Sequence, residues 1–428
     1  MTRVGLAFHR TFHSLHTRNF RLFFMGQAIS VTGTWLNATA SAWLVVRLSN
    51  ASGIALGVNT ALTFLPILLV GAFGGMLADR HDKRKILMAT QAVYAALAFT
   101  LFALAATGVA RLWMVYTLSL AAGLVTALDN PTRQSFYMEL VPESDLTNAV
   151  SLNSAVFMGS RIVGASIAGA VIATIGIAAC FLIDGVSYIA VIGALLAMRA
   201  ADLHERDRAS HERGGVREGF RYVWNSPELR RPLVLMTVVF TLGFNWAVLL
   251  PLLAKRTFDG SSATFATMSA LTGVGAFIAA LIMANRASSP ASAPSMRRLA
   301  TFAIVSGVAL LLTAIAPTLE LSYATMVPLG LTVMIFIITA NSMLQLRSKP
   351  EFRGRVMALY GMVFLGSTPV GAILTGLLAQ HLGPRAGFLL GAVAALLAGC
   401  GGLWWRARSA MPAALPVDAG LADQQLTA

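Results

Sequence analysis

The 428-residue chain is 57% hydrophobic and 12% charged, with a mean hydropathy of +0.71. So little charge excludes a soluble or secreted domain of this size and puts most of the chain against lipid or other buried helices. The net charge of +14 needs no nucleic-acid partner. Arg47, Arg111, Lys255, Arg256 and Arg385 fall on one side of the apolar runs and Arg161 falls inside one. Every other Lys and Arg falls on the opposite side, which is the positive-inside pattern of cytoplasmic segments.

Residues 1–19 form a basic arm carrying His9, His13 and His16. Lone histidines without Cys or acid are weak metal ligands, so the arm is expected to be solvated or to touch headgroups. The apolar run after Phe20 is too long for a signal-peptide core and lacks a small-residue cleavage site, so it counts as the first span. A spanning helix needs roughly 20 apolar residues. Twelve such runs are expected, at about 20–46, 54–78, 86–107, 112–134, 148–174, 178–198, 232–254, 262–285, 298–316, 321–346, 355–380 and 386–405. An even number leaves both termini on the cytoplasmic side. Cys180 and Cys400 lie in apolar runs and are expected to pack there. The expected fold is an all-α polytopic membrane protein.

Polar stripes mark three of these spans. Gln27, Ser30, Thr34, Asn37 and Ser41 recur at steps of three and four, the spacing of one helix face. The seventh span offers Thr237, Thr241 and Asn245 beside Trp246. The tenth offers Thr325, Thr332 and Thr339, with Asn341 below. Such faces suit a water-filled path for an amphipathic solute, although Ser and Thr also bond their own helix backbone. Gln27, Thr34, Asn37, Asn245 and Asn341 are the candidate lining residues.

Among the charged residues of the spans, Arg161, Asp129 and Asp184 are candidates for chemistry. Arg161 is the one basic residue deep in a run, where a charge costs at least about 2.5–3.5 kcal/mol. It needs an acid, for which Asp129 and Asp184 are candidates, or it contacts an anionic substrate, or its pairing changes with protonation. Asp184 and Asp129 are the acids placed within spans. Exposed alternately to each side, either carboxylate would load and release a proton. Asp129, four residues before Arg133, is alternatively held in a gate.

Between spans six and seven, residues 199–231 form the longest polar segment. In it Val216, Phe220, Val223 and Trp224 share one helical face, with Arg217, Glu218 and Arg221 off it. That is the pattern of an interfacial amphipathic helix. The segment separates 20–198 from 232–405, and 406–428 is expected to be a disordered tail. The two halves look related. Phe157-Met-Gly-Ser-Arg-Ile-Val-Gly164-Ala-Ser-Ile-Ala-Gly169 aligns with Phe364-Leu-Gly-Ser-Thr-Pro-Val-Gly371-Ala-Ile-Leu-Thr-Gly376, each downstream of a Pro-Glu pair. Gly164, Gly169, Gly371 and Gly376 are expected to be helix-packing and hinge positions.

Between spans two and three lies Gly75-Met-Leu-Ala-Asp79-Arg80-His81-Asp82-Lys83-Arg84-Lys85. This turn resembles the loop signature of the major facilitator superfamily, G-x-x-x-D-R/K-x-G-R/K-R/K. Gly75, Asp79, Arg80, Lys83 and Arg84 match it, and Asp82 stands where that family usually has glycine. Asp129-Asn-Pro-Thr-Arg133-Gln-Ser-Phe136, Leu140-Val-Pro142, Asn148-Ala-Val, Arg161-Ile-Val-Gly164 and Arg353-Gly-Arg-Val356 resemble the branch containing the enterobactin exporter and secretion transporters. Ala165 holds a place where that family often has proline.

The resemblance implies twelve transmembrane helices in two pseudo-symmetric six-helix bundles, in a bacterial inner membrane. It implies that Asp79 meets the N-terminus of span eleven near Arg355 and latches the halves in an outward-open state. Arg80, Lys83 and Arg84 would pair with carboxylates such as Asp129 or Glu139; the plainer alternative is that these bases only set topology. The expected function is proton-coupled export of a small siderophore- or drug-like molecule. An importer, or a non-transporting sensor or scaffold, is the alternative. No HExxH, GxSxG or GxxxxGK[ST] is present, so neither enzyme nor cofactor is expected. The expected partners are the solute, protons and the bilayer around a monomer.

Overall fold

The computed structural model describes residues 13–142, 145–203, 216–286 and 294–410. All regular structure among them is helical. Long apolar runs close their backbone hydrogen bonds within themselves, which is the requirement for crossing lipid. The first six helices are α1 (Arg18–Leu48), α2 (Gly53–Arg80), α3 (Lys83–Ala106), α4 (Leu112–Leu140), α5 (Leu146–Thr174) and α6 (Ile177–Ala197). A short helix follows, α7 (Val216–Asn225). The rest are α8 (Pro227–Gly243), α9 (Trp246–Leu252), α10 (Ser262–Asn285), α11 (Met296–Ile315), α12 (Leu319–Arg347), α13 (Pro350–Gly366), α14 (Thr368–Leu382) and α15 (Pro384–Ala410).

Short polar turns begin the helices by capping them. Ser52 accepts from Ala55 N at 3.2 Å, Asp82 from Lys85 N at 3.2 Å, Ser295 from Arg298 N at 3.3 Å and Thr318 from Leu321 N at 3.4 Å. Each satisfies one orphan amide of a helix start. Asp82, which departs from the loop signature, is thus the N-cap of α3.

Two expected single spans are broken. The seventh is α8 and α9, parted at Phe244–Asn245. Gly243 is a poor helix former there, and the Asn245 amide donates to the Thr241 carbonyl at 2.9 Å, satisfying a group the backbone leaves free. The eleventh is α13 and α14, parted at Ser367. Pro369, which has no amide to give, follows that break. Eleven segments among the described residues, each broken pair counted once, are long and apolar enough to cross a membrane. The expected twelfth, α1, spans 31 residues, but its polar stripe keeps it out of that set.

The same neighbours recur in both halves. α1 packs on α5 and α6, as α8 and α9 pack on α14 and α15. α2 packs on α4 as α10 packs on α12, and α3 on α6 as α11 on α15. Gly176 and Gly383 hold equivalent places in the repeat. Both have positive φ (110° and 86°), ending α5 and α14 with a turn that L side chains resist.

The four repeat glycines split into two equivalent pairs. Gly164 seats α5 on Thr32 and Trp35 of α1, and Gly371 seats α14 on Thr241 and Asn245. Gly169 meets Ala266 of α10, and Gly376 meets the Gly53 backbone of α2, so this second pair joins the two halves. A Cβ at Gly164 would lie 2.7 Å from Trp35 Cβ, whereas one at Gly159 on the same helix would meet nothing within 4 Å. Gly164→Ala should therefore destabilise by about 1–3 kcal/mol through overpacking. Gly159→Ala should be neutral or stabilising by about 0.5–1 kcal/mol. Melting temperatures of the purified variants check the pair.

The basic arm is not wholly solvated. Ser14 is 0% exposed, and its Oγ donates to Asn148 Oδ1 at 2.8 Å, pinning residues 13–16 to the start of α5. Residues 1–12, most of the 199–214 linker and 411–428 lie outside the described residues. α7 covers the expected amphipathic stretch. Val223 is buried, while Phe220 and Trp224 stack at 5.5 Å and stay exposed.

Candidate functional site

Asp129 and Arg133 stand one turn apart because α4 continues through Pro131 to Leu140, and they form an ion pair. Asp129 is 1% exposed and fully engaged. Its Oδ2 accepts from Arg133. Its Oδ1 accepts from Thr90 Oγ1 at 2.7 Å and Gln91 Nε2 at 2.9 Å, both on α3. Arg133 also donates to Gln27 Oε1 on α1. Three helices therefore meet at one charge pair.

Asp184 on α6 is 0% exposed. Its Oδ2 accepts from Asn37 Nδ2 at 2.6 Å, and Asn37 Oδ1 accepts from Ser41 at 2.9 Å. Its Oδ1 has no hydrogen-bond partner. No cation among the described residues pairs with it. Gly33 makes the room, since a Cβ there would lie 2.8 Å from Asp184 Oδ1.

A polar thread runs between the two acids. Tyr94, one turn beyond Gln91, shares a 2.7 Å hydrogen bond with Thr126 and stacks on Tyr188 at 5.2 Å. The Tyr188 hydroxyl lies 3.3 Å from Thr34 Oγ1, and Tyr188 sits one turn from Asp184 on α6. Sequence reasoning missed Thr90, Gln91, Tyr94, Thr126 and Tyr188. Gln91 carried a signal, since an amide in an apolar span needs a partner that its own helix does not easily supply.

Arg161 departs from the ion-pair expectation. Asp129 is taken by Arg133 and Asp184 by Asn37, and no carboxylate among the described residues pairs with Arg161. Its guanidinium lies 5.4 Å over the Trp35 ring, and Trp35 meets Phe157 edge-on at 5.6 Å.

At the basic turn, Lys83 pairs with Glu139 at 2.5 Å, as expected. Among the described residues Arg84 meets no carboxylate. It donates to the Leu195 carbonyl at 2.8 Å and the Leu196 carbonyl at 3.3 Å, capping the end of α6. Those last carbonyls have no partner within their own helix, which is why a guanidinium goes there. Gly75 faces Pro131 of α4, and Arg80 is exposed. The Asp79 side chain lies outside the described residues. Arg355, its expected neighbourhood, pairs with Glu218 of α7 at 3.0 Å.

The second half holds no acid in its polar stripes. Thr237 and Thr241 bond their own helix, at 2.8 and 2.6 Å. Asn245 is 4% exposed with Oδ1 unpartnered. Asn341 accepts from Gln345 on its own helix at 2.8 Å. Around the α8–α9 break the wall is aromatic. Phe240 meets Phe364 at 5.1 Å and Phe336 at 5.9 Å, and Phe244 meets Trp246 at 6.0 Å.

The chain is 24% identical over 367 residues to the staphyloferrin A transporter of Staphylococcus aureus, covering 85% of this chain and 90% of that protein. It is 26% identical over 380 residues to the multidrug efflux pump Tap of Mycolicibacterium fortuitum, covering 86% and 90%. Among solved structures, a bacterial homologue of the human lysosomal transporter Spinster, inward-facing and unoccupied, superposes with a TM-score of 0.72 at 13% identity, covering 90% of this chain and 96% of that one. The model of the transmembrane secretion effector family matches residues 9–417. With a helical membrane fold of repeated halves and a charge pair buried inside one of them, the chain belongs to that family of major facilitator transporters.

Proposed function

We propose that this protein is a secondary exporter. It moves a small amphipathic molecule, of the kind its siderophore and drug-efflux relatives are named for, by alternating access and at the expense of a proton gradient. The observation that carries this reading is Asp184, a fully buried carboxylate with one oxygen unpartnered and no counter-charge among the described residues. A lone charge there is costly, and a bound proton removes it. Tyr188, one turn from Asp184, stacks on Tyr94, one turn from the Gln91 that serves Asp129. Asp129 and Arg133 are a fixed strut of the first bundle, and Asp184 is the proton carrier. Export is tested by solute accumulation in cells with and without the protein. Lower accumulation supports it, and higher accumulation would make the protein an importer.

The bundles are residues 20–198 and 232–405, both termini face the cytoplasm, and Gly169 and Gly376 are the hinge positions where the bundles touch. Asp79, with Arg80 and Lys83 around it, latches the basic face when the other mouth is open. Its partner is the helix N-terminus of α13, where a carboxylate gains about 0.3–1 kcal/mol. Asp79→Asn is expected to cut transport while membrane insertion, read by surface quantity, is unchanged. Full transport in that variant would remove the latch.

A further inference from the structure

Arg161 is the strongest unexplained group in the molecule. Its direction follows from α5 itself. Val163, Ser166, Ile167 and Ala170 share one exposed face of that helix. At 3.6 residues per turn, Arg161 lies on the opposite face, with Phe157, Ala165 and Ala168. On one flank Gly164 seats against Thr32 and Trp35 of α1. On the other, Ile162 presses on α10, where a Cβ at Gly273 would lie 2.9 Å from Ile162 Cγ1. Arg161 therefore points between a helix of the first half and a helix of the second.

There, among the described residues, it has a ring and no carboxylate. Trp35 holds the guanidinium face, and Phe157, 45% exposed, extends the aromatic edge. Stacking occupies the face of a guanidinium and leaves its N–H groups, which lie in the plane, for an acceptor. Asp129 pairs with Arg133, and Asp184 takes its hydrogen bond from Asn37, so neither acid pairs with Arg161.

We infer that Arg161, Trp35 and Phe157 form a seat for an organic anion, a carboxylate or similar oxyanion carried on an apolar or aromatic body. This rests on the transport reading and names its substrate class. The seat prefers anions over neutral or cationic solutes of the same shape.

The test uses a matched pair, 1-pyrenebutyrate and 1-pyrenebutanol, with binding to the purified full-length protein read by quenching of tryptophan fluorescence. One charge-assisted contact predicts a preference of about tenfold for the acid. Arg161→Gln should erase that preference by weakening the acid alone, and Arg161→Lys should keep part of it. Equal binding of the pair by the unaltered protein overturns the seat, as does no binding of either or a preference that survives Arg161→Gln. The first two need no variant to fold. Intact acid preference without pyrenebutyrate flux in vesicles would sink the transport reading and leave the seat standing.

Discussion

Asp184→Asn is expected to abolish efflux driven by an imposed pH gradient in reconstituted vesicles while leaving gradient-free exchange of the same solute measurable. The amide keeps an oxygen for Asn37 Nδ2, which donates to Asp184 Oδ2 at 2.6 Å, so the local packing survives. What disappears is a buried carboxylate with no counter-charge among the described residues, and with it the proposed place of proton uptake and release. Removing an uncompensated buried charge does not weaken the fold, so the melting temperature of the variant should equal or exceed that of the unaltered protein. Full gradient-driven efflux in Asp184→Asn would end the proton-carrier role. A collapsed melting temperature would instead make Asp184 a structural acid.

Arg133→Gln should behave in the opposite way. It leaves Asp129, 1% exposed, with only the neutral donors Thr90 and Gln91. Breaking a buried pair by removing one partner costs about 3–5 kcal/mol. Arg133 also ties α4 to Gln27 of α1, so the loss spreads across the helix junction. Joining Asp129→Asn to Arg133→Gln removes the stranded charge and should recover most of that loss. The measurement is a double-mutant cycle on melting temperature, since residues in direct contact give non-additive effects. Additive losses, or a single variant as stable as the unaltered protein, would show that Asp129 and Arg133 are not acting as a pair.

Much of the fold was legible along the chain. An apolar run of the right length spells a span by itself, because the backbone of such a helix is satisfied locally. The Phe157–Gly169 stretch of α5 and the Phe364–Gly376 stretch across α13 and α14 share Phe, Gly, Ser, Val, Gly, Ala and Gly in one register, and the structure gives the last two glycines of each matching jobs. Asp82 is instructive in another way. It departs from the loop signature, and it is the cap of α3. The Asp129–Arg133 pair was readable as well, since a four-residue step on one helix brings two side chains together.

The chain by itself therefore determined the spans, the repeat and the local ion pair, all set by neighbours within a turn or by the length of an apolar run. Only the tertiary structure decided that Asp184 faces Asn37 across 147 positions of sequence, that Gln91 serves Asp129, and that Arg161 faces an aromatic ring with no acid. Each of those outcomes depends on which helices lie side by side. A buried polar group must find its partner on whatever helix the packing presents, and no spacing along the chain encodes that choice.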